Sequence, residues 1–237
     1  MGCTMTFTLL AFDRGSGVLG GVTASRSLAV GNAVLALDPA VGIVASQAWT
    51  NRELRDRLLT DMASGFSADQ AITRLSHWDA EVERRQAGAI DLAGTVSAFT
   101  GPMTSPWAGH RVGSDHVALG NLLAGSGVLQ AMCSSFSAEQ VSAAQFSTKQ
   151  EATDIRTEGT GAETEIILFA QRLLSALAAG ERAGGDRRGR QSASIIVART
   201  CQNRQFPPNL GVDLRVDNHA DPLTELNQLL ALQVMNH

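Results

Sequence analysis

The sequence predicts an α+β fold in which sheets pack face to face with helices outside. Three observations lead there. Predicted strands come in clusters, and so do predicted helices, which argues against a strict strand–helix alternation and a parallel sheet. The strands are short and rich in small residues, with 23 glycines in the chain, so sheets can approach closely. No internal repeat or linker divides the 237 residues, which are read as a single domain, 1–237.

The run Thr6-Phe7-Thr8-Leu9-Leu10-Ala11-Phe12-Asp13 is rich in β-branched and aromatic residues and reads as the opening strand, starting at Met5. The turn Asp13-Arg14-Gly15-Ser16-Gly17 leads to a hairpin partner, Val18 to Ala24. Ser25-Arg26-Ser27 interrupts that strand, and Leu28 to Gly31 is expected to resume it. A further strand follows the Asp38-Pro39 turn, from Val41 to Gln47. Leu54, Leu58, Leu59 and Met62 recur at helical spacing, and Gly65 ends that helix. Ser67-Ala68-Asp69-Gln70 is a capping-box pattern and starts the next helix. Gln86 to Asp91 and Thr95 to Phe99 alternate as a hairpin, Trp107 to His110 reads as a loop, and His116 to Asn121 as a short strand.

A helix is expected from Gly125 to Phe136, followed by a polar surface excursion, residues 137–161, with poor periodicity and at most part of it helical. From Glu163 to Ala179 the residues Ile166, Ile167, Phe169, Ala170, Leu173, Leu174 and Leu177 form a broad apolar helix face, with Gly180 expected as its C-cap. Ser192 to Arg199 reads as a buried strand and Val212 to Val216 as the last one. Asp221-Pro222 pairs an N-cap with proline at the first helical position and opens the final helix.

Composition narrows the function. A net charge of −4 leaves no electrostatic footprint for nucleic acid. No apolar run is long enough to span a bilayer, and the start lacks the basic and small-residue features of a signal peptide. Cys3, Cys133 and Cys201 are too scattered for a disulfide framework, which points to a reducing cytoplasm. Base rates for oligomers suggest a homodimer.

Thr6 is the principal nucleophile candidate, because it follows Met5 directly. If Met5 is the start and is removed, Thr6 carries a hydroxyl and a free α-amine on one residue. Such an amine titrates near ~7.7–8.0 and can take the hydroxyl proton. The four residues ahead of Met5, 1–4, form an N-terminal extension that stands against this reading. Cys3 is a rival nucleophile, but loss of Met1 exposes Gly2 instead.

Several segments, in order, carry a family resemblance. They are Thr6 to Asp13, Ala24 to Gly31, Ala98-Phe99-Thr100-Gly101, Trp107-Ala108-Gly109-His110, Gly120 to Gly125, Gly184 to Ala193 and Asp213 to His219. Together they resemble the family catalogued as domain of unknown function 1028, which is similar in fold to the N-terminal nucleophile (Ntn) hydrolases. The resemblance implies a four-layer α-β-β-α sandwich of two mainly antiparallel sheets and hydrolysis of an amide-type C–N bond. It also implies a start near Met5, since members typically open Met-Thr-Phe-Ser. Proteasome-type relatives place a lysine near the threonine, whereas the only lysine here is Lys149, inside the excursion.

Positive charge near Thr6 is therefore expected from arginine, which binds carboxylates bidentately but cannot act as the base. Arg26 and the loop residues Asp186, Arg187, Arg188, Arg190 and Gln191 are the candidates for binding a small anionic substrate. A solvated Gly/Arg turn explains that loop equally well. Gly120 and Asn121 are candidate oxyanion donors through a backbone N–H and a side-chain amide, although a Gly-Asn pair is most often a turn. Ser25 and Gln47 are candidate cleft residues; hydrogen bonding within the core explains them as well. Asp213, Asp217, His219 and Asp221 invite a metal reading, but Asp213 and Asp217 fall on a strand edge and Asp221 caps a helix, so no metal or other cofactor is expected. The function expected is hydrolysis of a small amide by Thr6; the alternative is a non-catalytic protein of the same fold that binds a small ligand or a partner.

Overall fold

The computed structural model of the chain describes residues 6–150 and 160–235. The described residues form a mixed α+β fold with two antiparallel sheets. The larger sheet contains β1 (Thr6–Asp13), β2 (Val18–Ser25), β7 (Gly109–Val112), β8 (His116–Asn121), β9 (Ser192–Arg199) and β10 (Val212–Val216). Its strand order is β10-β9-β2-β1-β8-β7. The smaller sheet contains β3 (Leu35–Asp38), β4 (Gly42–Ala48), β5 (Arg85–Asp91) and β6 (Val96–Thr100), in sequence order.

Strand alternation sorts side chains into three cores. In β1, Phe7, Leu9 and Ala11 point outward, against helices α4 (Gly127–Gln150), α5 (Thr160–Arg182) and α6 (Pro222–Met235). Leu10 and Phe12 point the other way and meet Ile43 and Ile90 of the facing sheet. The outer face of the smaller sheet buries Val44, Ala87 and Ala89 under α1 (Glu53–Ala63) and α2 (Ala68–Thr73), with the short α3 (Leu75–Trp78) adding Leu75 to the same core. Each large apolar side chain so buried contributes about 1.5–3 kcal/mol. Small residues bring the sheets together: a Cβ on Gly21 would lie 2.9 Å from Ile43 Cδ1.

Local signals account for most boundaries. Asp13 Oδ1 accepts the Gly15 and Ser16 N–H groups and closes the first hairpin. The capping box forms as expected, with Ser67 Oγ accepting Gln70 N–H and Gln70 Oε1 accepting Ser67 N–H. Asp221 caps α6, Oδ1 accepting the Thr224 N–H at 3.4 Å while Oδ2 accepts the Thr224 hydroxyl at 2.9 Å.

Other expectations are corrected. Leu28 to Gly31 does not resume β2; the chain leaves the sheet at Ser25 and makes a short 3-10 turn at Val30–Asn32. Ser192 Oγ takes the Val30 N–H at 3.1 Å, which holds that turn beside β9. Gly109 and His110 belong to β7, a strand too short to show a period. Leu35–Asp38 forms β3, for which no strand was expected. Helix α4 does not stop at Phe136 but continues to Gln150, so the first part of the 137–161 excursion is helical. Residues 151–159 of it lie outside the described residues. Gly180 does not end α5, which runs on to Arg182. A Cβ there would lie 2.6 Å from Met132 Cγ, so this glycine serves the close contact of α5 with α4.

Candidate active site at the polar end of the inter-sheet layer

The layer between the sheets changes character along its length. In β1, Phe12 and Leu10 give way to Thr8 and Thr6 on the same face. In β2, Leu19 gives way to Thr23 and Ser25; in β8, Val117 and Leu119 give way to Asn121; in β9, Ala198 and Ile196 give way to Ser194 and Ser192. The facing sheet does the same, with Gln47 after Ile43 and Ala45, and Gln86 before Ile90. These polar residues are nearly or wholly sequestered: Thr6, Thr8, Thr23, Gln47, Gln86, Asn121, Ser192 and Ser194 are all 0% exposed and Ser25 2%. Buried polar groups are costly unless hydrogen-bonded, so their partners matter.

Two glutamines join the sheets. Thr8 Oγ1 donates to Gln47 Oε1 at 2.6 Å and lies 2.8 Å from Thr23 Oγ1. Gln47 Nε2 donates to Gln86 Oε1 at 2.7 Å and to the Thr6 carbonyl at 3.3 Å. Gln86 Oε1 also accepts from Asn121 Nδ2 at 3.3 Å. Gln86 Nε2 donates to Thr100 Oγ1 at 2.9 Å and to the carbonyls of Gly109 and Gly120 at 2.9 and 3.0 Å. Thr100 Oγ1 is 2.9 Å from His110 Nδ1, at the exposed end of the network.

Three buried atoms of this cluster stand outside the network: among the described residues Thr6 Oγ1, Asn121 Oδ1 and Ser194 Oγ have no hydrogen-bond partner. Thr6 and Asn121 are paired across β1 and β8. The residues that follow the two amides, Ala48 after Gln47 and Leu122 after Asn121, are left-handed, with φ of 73° and 53°. Non-glycine residues seldom take this conformation, and it collects at functional sites.

The arginine loop borders the same end. Asp186 accepts the Arg26 N–H at 2.7 Å and the Arg188 N–H at 2.8 Å. Gln191 N–H donates to the Ser25 carbonyl at 3.1 Å, and Arg26 Nη1 donates to Gln191 Oε1 at 2.9 Å. One further step of the β1–β2 ladder beyond Phe7↔Ala24 puts Ser25 opposite Thr6.

The expected site residues thus divide. Thr6, Gln47, Gly120 and Asn121 share one network; Ser25, Arg26, Asp186 and Gln191 share the adjoining loop. Gly120 contributes its carbonyl to the network, and Asp186 is a buried anchor for backbone N–H groups. Arg188 pairs with Asp186 and Arg190 with Glu181 and Asp221, so their charge is balanced locally. Arg187 is exposed and forms no ion pair among the described residues. Thr8, Thr23, Gln86, Thr100 and His110 were not among the expected site residues. Their signal was a polar residue continuing an apolar strand face, repeated in several strands. No group of three or more His, Cys, Asp or Glu is placed to hold a metal among the described residues. No described helix is long and apolar enough to cross a membrane.

Burial pushes the His110 pKa below its ordinary value. The folded state therefore binds this proton less readily than the unfolded chain does. Stability is fully present above about pH 6.5 and declines as pH falls toward the lowered folded value. Urea unfolding at several pH values should show this decline, and His110→Gln should flatten it.

Fold and site define a two-sheet α+β protein with a neutral polar cluster enclosed between its sheets. Residues 6–226 match the family of unknown function DUF1028, and the chain belongs to that family. A similar solved structure is the crystal structure of protein SPO2555 from Silicibacter pomeroyi, which carries the same family label. It is 30% identical, with a TM-score of 0.74 over 96% of this chain and 88% of that one. No curated protein matches the chain.

Proposed function

We propose that the protein is an Ntn-type amidohydrolase whose nucleophile is Thr6 once Thr6 is the first residue. The carrying observation is the Thr6 hydroxyl: buried, without a hydrogen-bond partner, and paired in register with Asn121. The two facing sheets with helices on both outer faces agree with the α-β-β-α sandwich of that class. The family match opens at residue 6.

In this reading Thr6 Oγ attacks the acyl carbon and its proton passes to the Thr6 α-amine. Asn121 Nδ2 uses only one of its two N–H groups among the described residues and stabilises the oxyanion with the other. The amine then protonates the leaving nitrogen as the C–N bond breaks, and water releases the acyl group from Oγ. Gln47 and Gln86 hold Thr6 and Asn121 in position. The polar cluster contains only hydroxyls and amides, so the part of the substrate nearest Thr6 is uncharged. Arg26 and Arg187 at the loop face an anionic group further out.

The enclosure of Thr6 favours a second reading, a non-catalytic protein that keeps its N-terminal extension. Intact mass and N-terminal sequencing of protein from its native host separate the two. A chain that begins at Thr6 and releases amine from a panel of small acyl amides supports the enzyme. A chain that begins at Met1 or Gly2 and is fully active refutes the amine as base.

A further inference from the structure

Strand β10 is the outermost strand of the larger sheet at the end away from β7, and β9 is its only neighbour there. Its sequence, Val-Asp-Leu-Arg-Val, is nearly symmetric about its centre. Val212, Leu214 and Val216 point to the outer face and join the core under α6. Asp213 and Arg215 point to the opposite face. The smaller sheet ends at β3, which lies over β2 and β9, one strand short of β10. Both charged residues are exposed, and neither has an ion-pair partner among the described residues.

Two copies of an edge strand can meet antiparallel about a two-fold axis perpendicular to the sheet. The faces are then kept, so each residue pairs with one that points the same way. Three such registers are centred within β10 on residues 213 to 215. Centred on Asp213, the pairing sets two aspartates opposite each other; centred on Arg215, two arginines. Centred on Leu214, it sets each Asp213 opposite Arg215 of the second copy, Val212 opposite Val216, and Leu214 opposite itself. This register alone overlaps the whole of Val212–Val216. It alone also places unlike charges across the seam, with Cβ atoms about 5 Å apart.

We propose that the chain associates with a second copy of itself through β10, in the register centred on Leu214, so that two six-stranded sheets become one. A free strand edge is a template for pairing, and proteins commonly guard it with charge. A guard against self-pairing needs like charges at the positions that meet, and β10 carries opposite ones there. Main-chain hydrogen bonds hold the two strands together, and the side-chain pairs fix the register. The two-fold axis keeps both α6 helices on one side of the joined sheet. Helix α6 packs on β10 and exposes Leu232 and Met235 at 50% and 72%, so apolar surface lies close to the seam. The association uses nothing of the Thr6 chemistry.

Sedimentation equilibrium of the full-length protein tests this. The wild type should weigh twice the chain mass of 25.0 kDa. Asp213→Arg and Arg215→Asp each turn both symmetry-related pairs from attraction to repulsion and should raise the dissociation constant about 10-fold or more. Both side chains are exposed, so the variants should unfold thermally as the wild type does. Mixing the two single variants restores unlike charges at both contacts and should recover a dimer that holds one chain of each. The double variant Asp213→Arg/Arg215→Asp should associate by itself. A monomeric wild type, a dimer indifferent to either reversal, or single variants that stay apart on mixing would each overturn the proposal.

Discussion

Thr6→Val, in protein that begins at residue 6, should lose amide hydrolysis by about 10³-fold or more while becoming more stable. The two effects have one cause. The Thr6 hydroxyl is buried without a partner, so its removal relieves a desolvation penalty of about 1–3 kcal/mol. Valine keeps the β-branched shape, the pairing with Asn121 and the carbonyl that accepts from Gln47. A threonine with only a structural role would show the gain without the loss. A nucleophile removed from a catalytic unit accounts for the rate effect, and thermal unfolding should show a rise of about 2–4 °C per kcal/mol. Thr6→Ser, which keeps the hydroxyl, should retain most of the activity. Full activity in Thr6→Val would end the nucleophile assignment.

Gln86→Leu should cost about 3–5 kcal/mol, the largest stability effect expected of a single substitution here. The side chain of Gln86 accepts from Gln47 and Asn121 and donates to Thr100 and to the Gly109 and Gly120 carbonyls. Leucine fills the volume but leaves these groups enclosed and unpaired. Gln47→Leu should cost less, because Gln47 meets fewer partners. In the double variant the losses should fall short of their sum, since the bond between the two amides is lost only once. Urea unfolding of the four proteins measures this, and strict additivity would mean that the amides act independently.

Much of the architecture was legible because its signals are local. Alternation in Thr6–Asp13, the Ser67–Gln70 box and the Asp221-Pro222 start each describe a few consecutive residues. The misreadings share another origin. Gly180 looks like a helix end in one dimension, and only the nearness of Met132 shows it to be a helix contact. Leu28 to Gly31 is apolar enough for a strand, but Ser192 and Asp217 hold that backbone off the sheet. The site divides in the same way. Thr6, Gln47 and Asn121 could be found because they end recognisable strands. Gln86 could not be ranked, because its importance lies in joining β4, β6 and β8, which are distant in sequence. The arginine loop looked like a store of positive charge, yet Asp186, Glu181 and Asp221 neutralise much of it.

The cluster between the sheets contains no ionised side chain, which separates it from its surroundings in one practical respect. Added electrolyte screens charges across solvent within about 8 Å at physiological ionic strength, but acts little on enclosed dipoles. Contacts made by hydroxyls and carboxamides at Thr6 and Asn121 should therefore hold from dilute buffer to molar salt. Any hold that Arg26 or Arg187 has on a ligand should weaken over the same range, so a simple salt series resolves the two halves of the site.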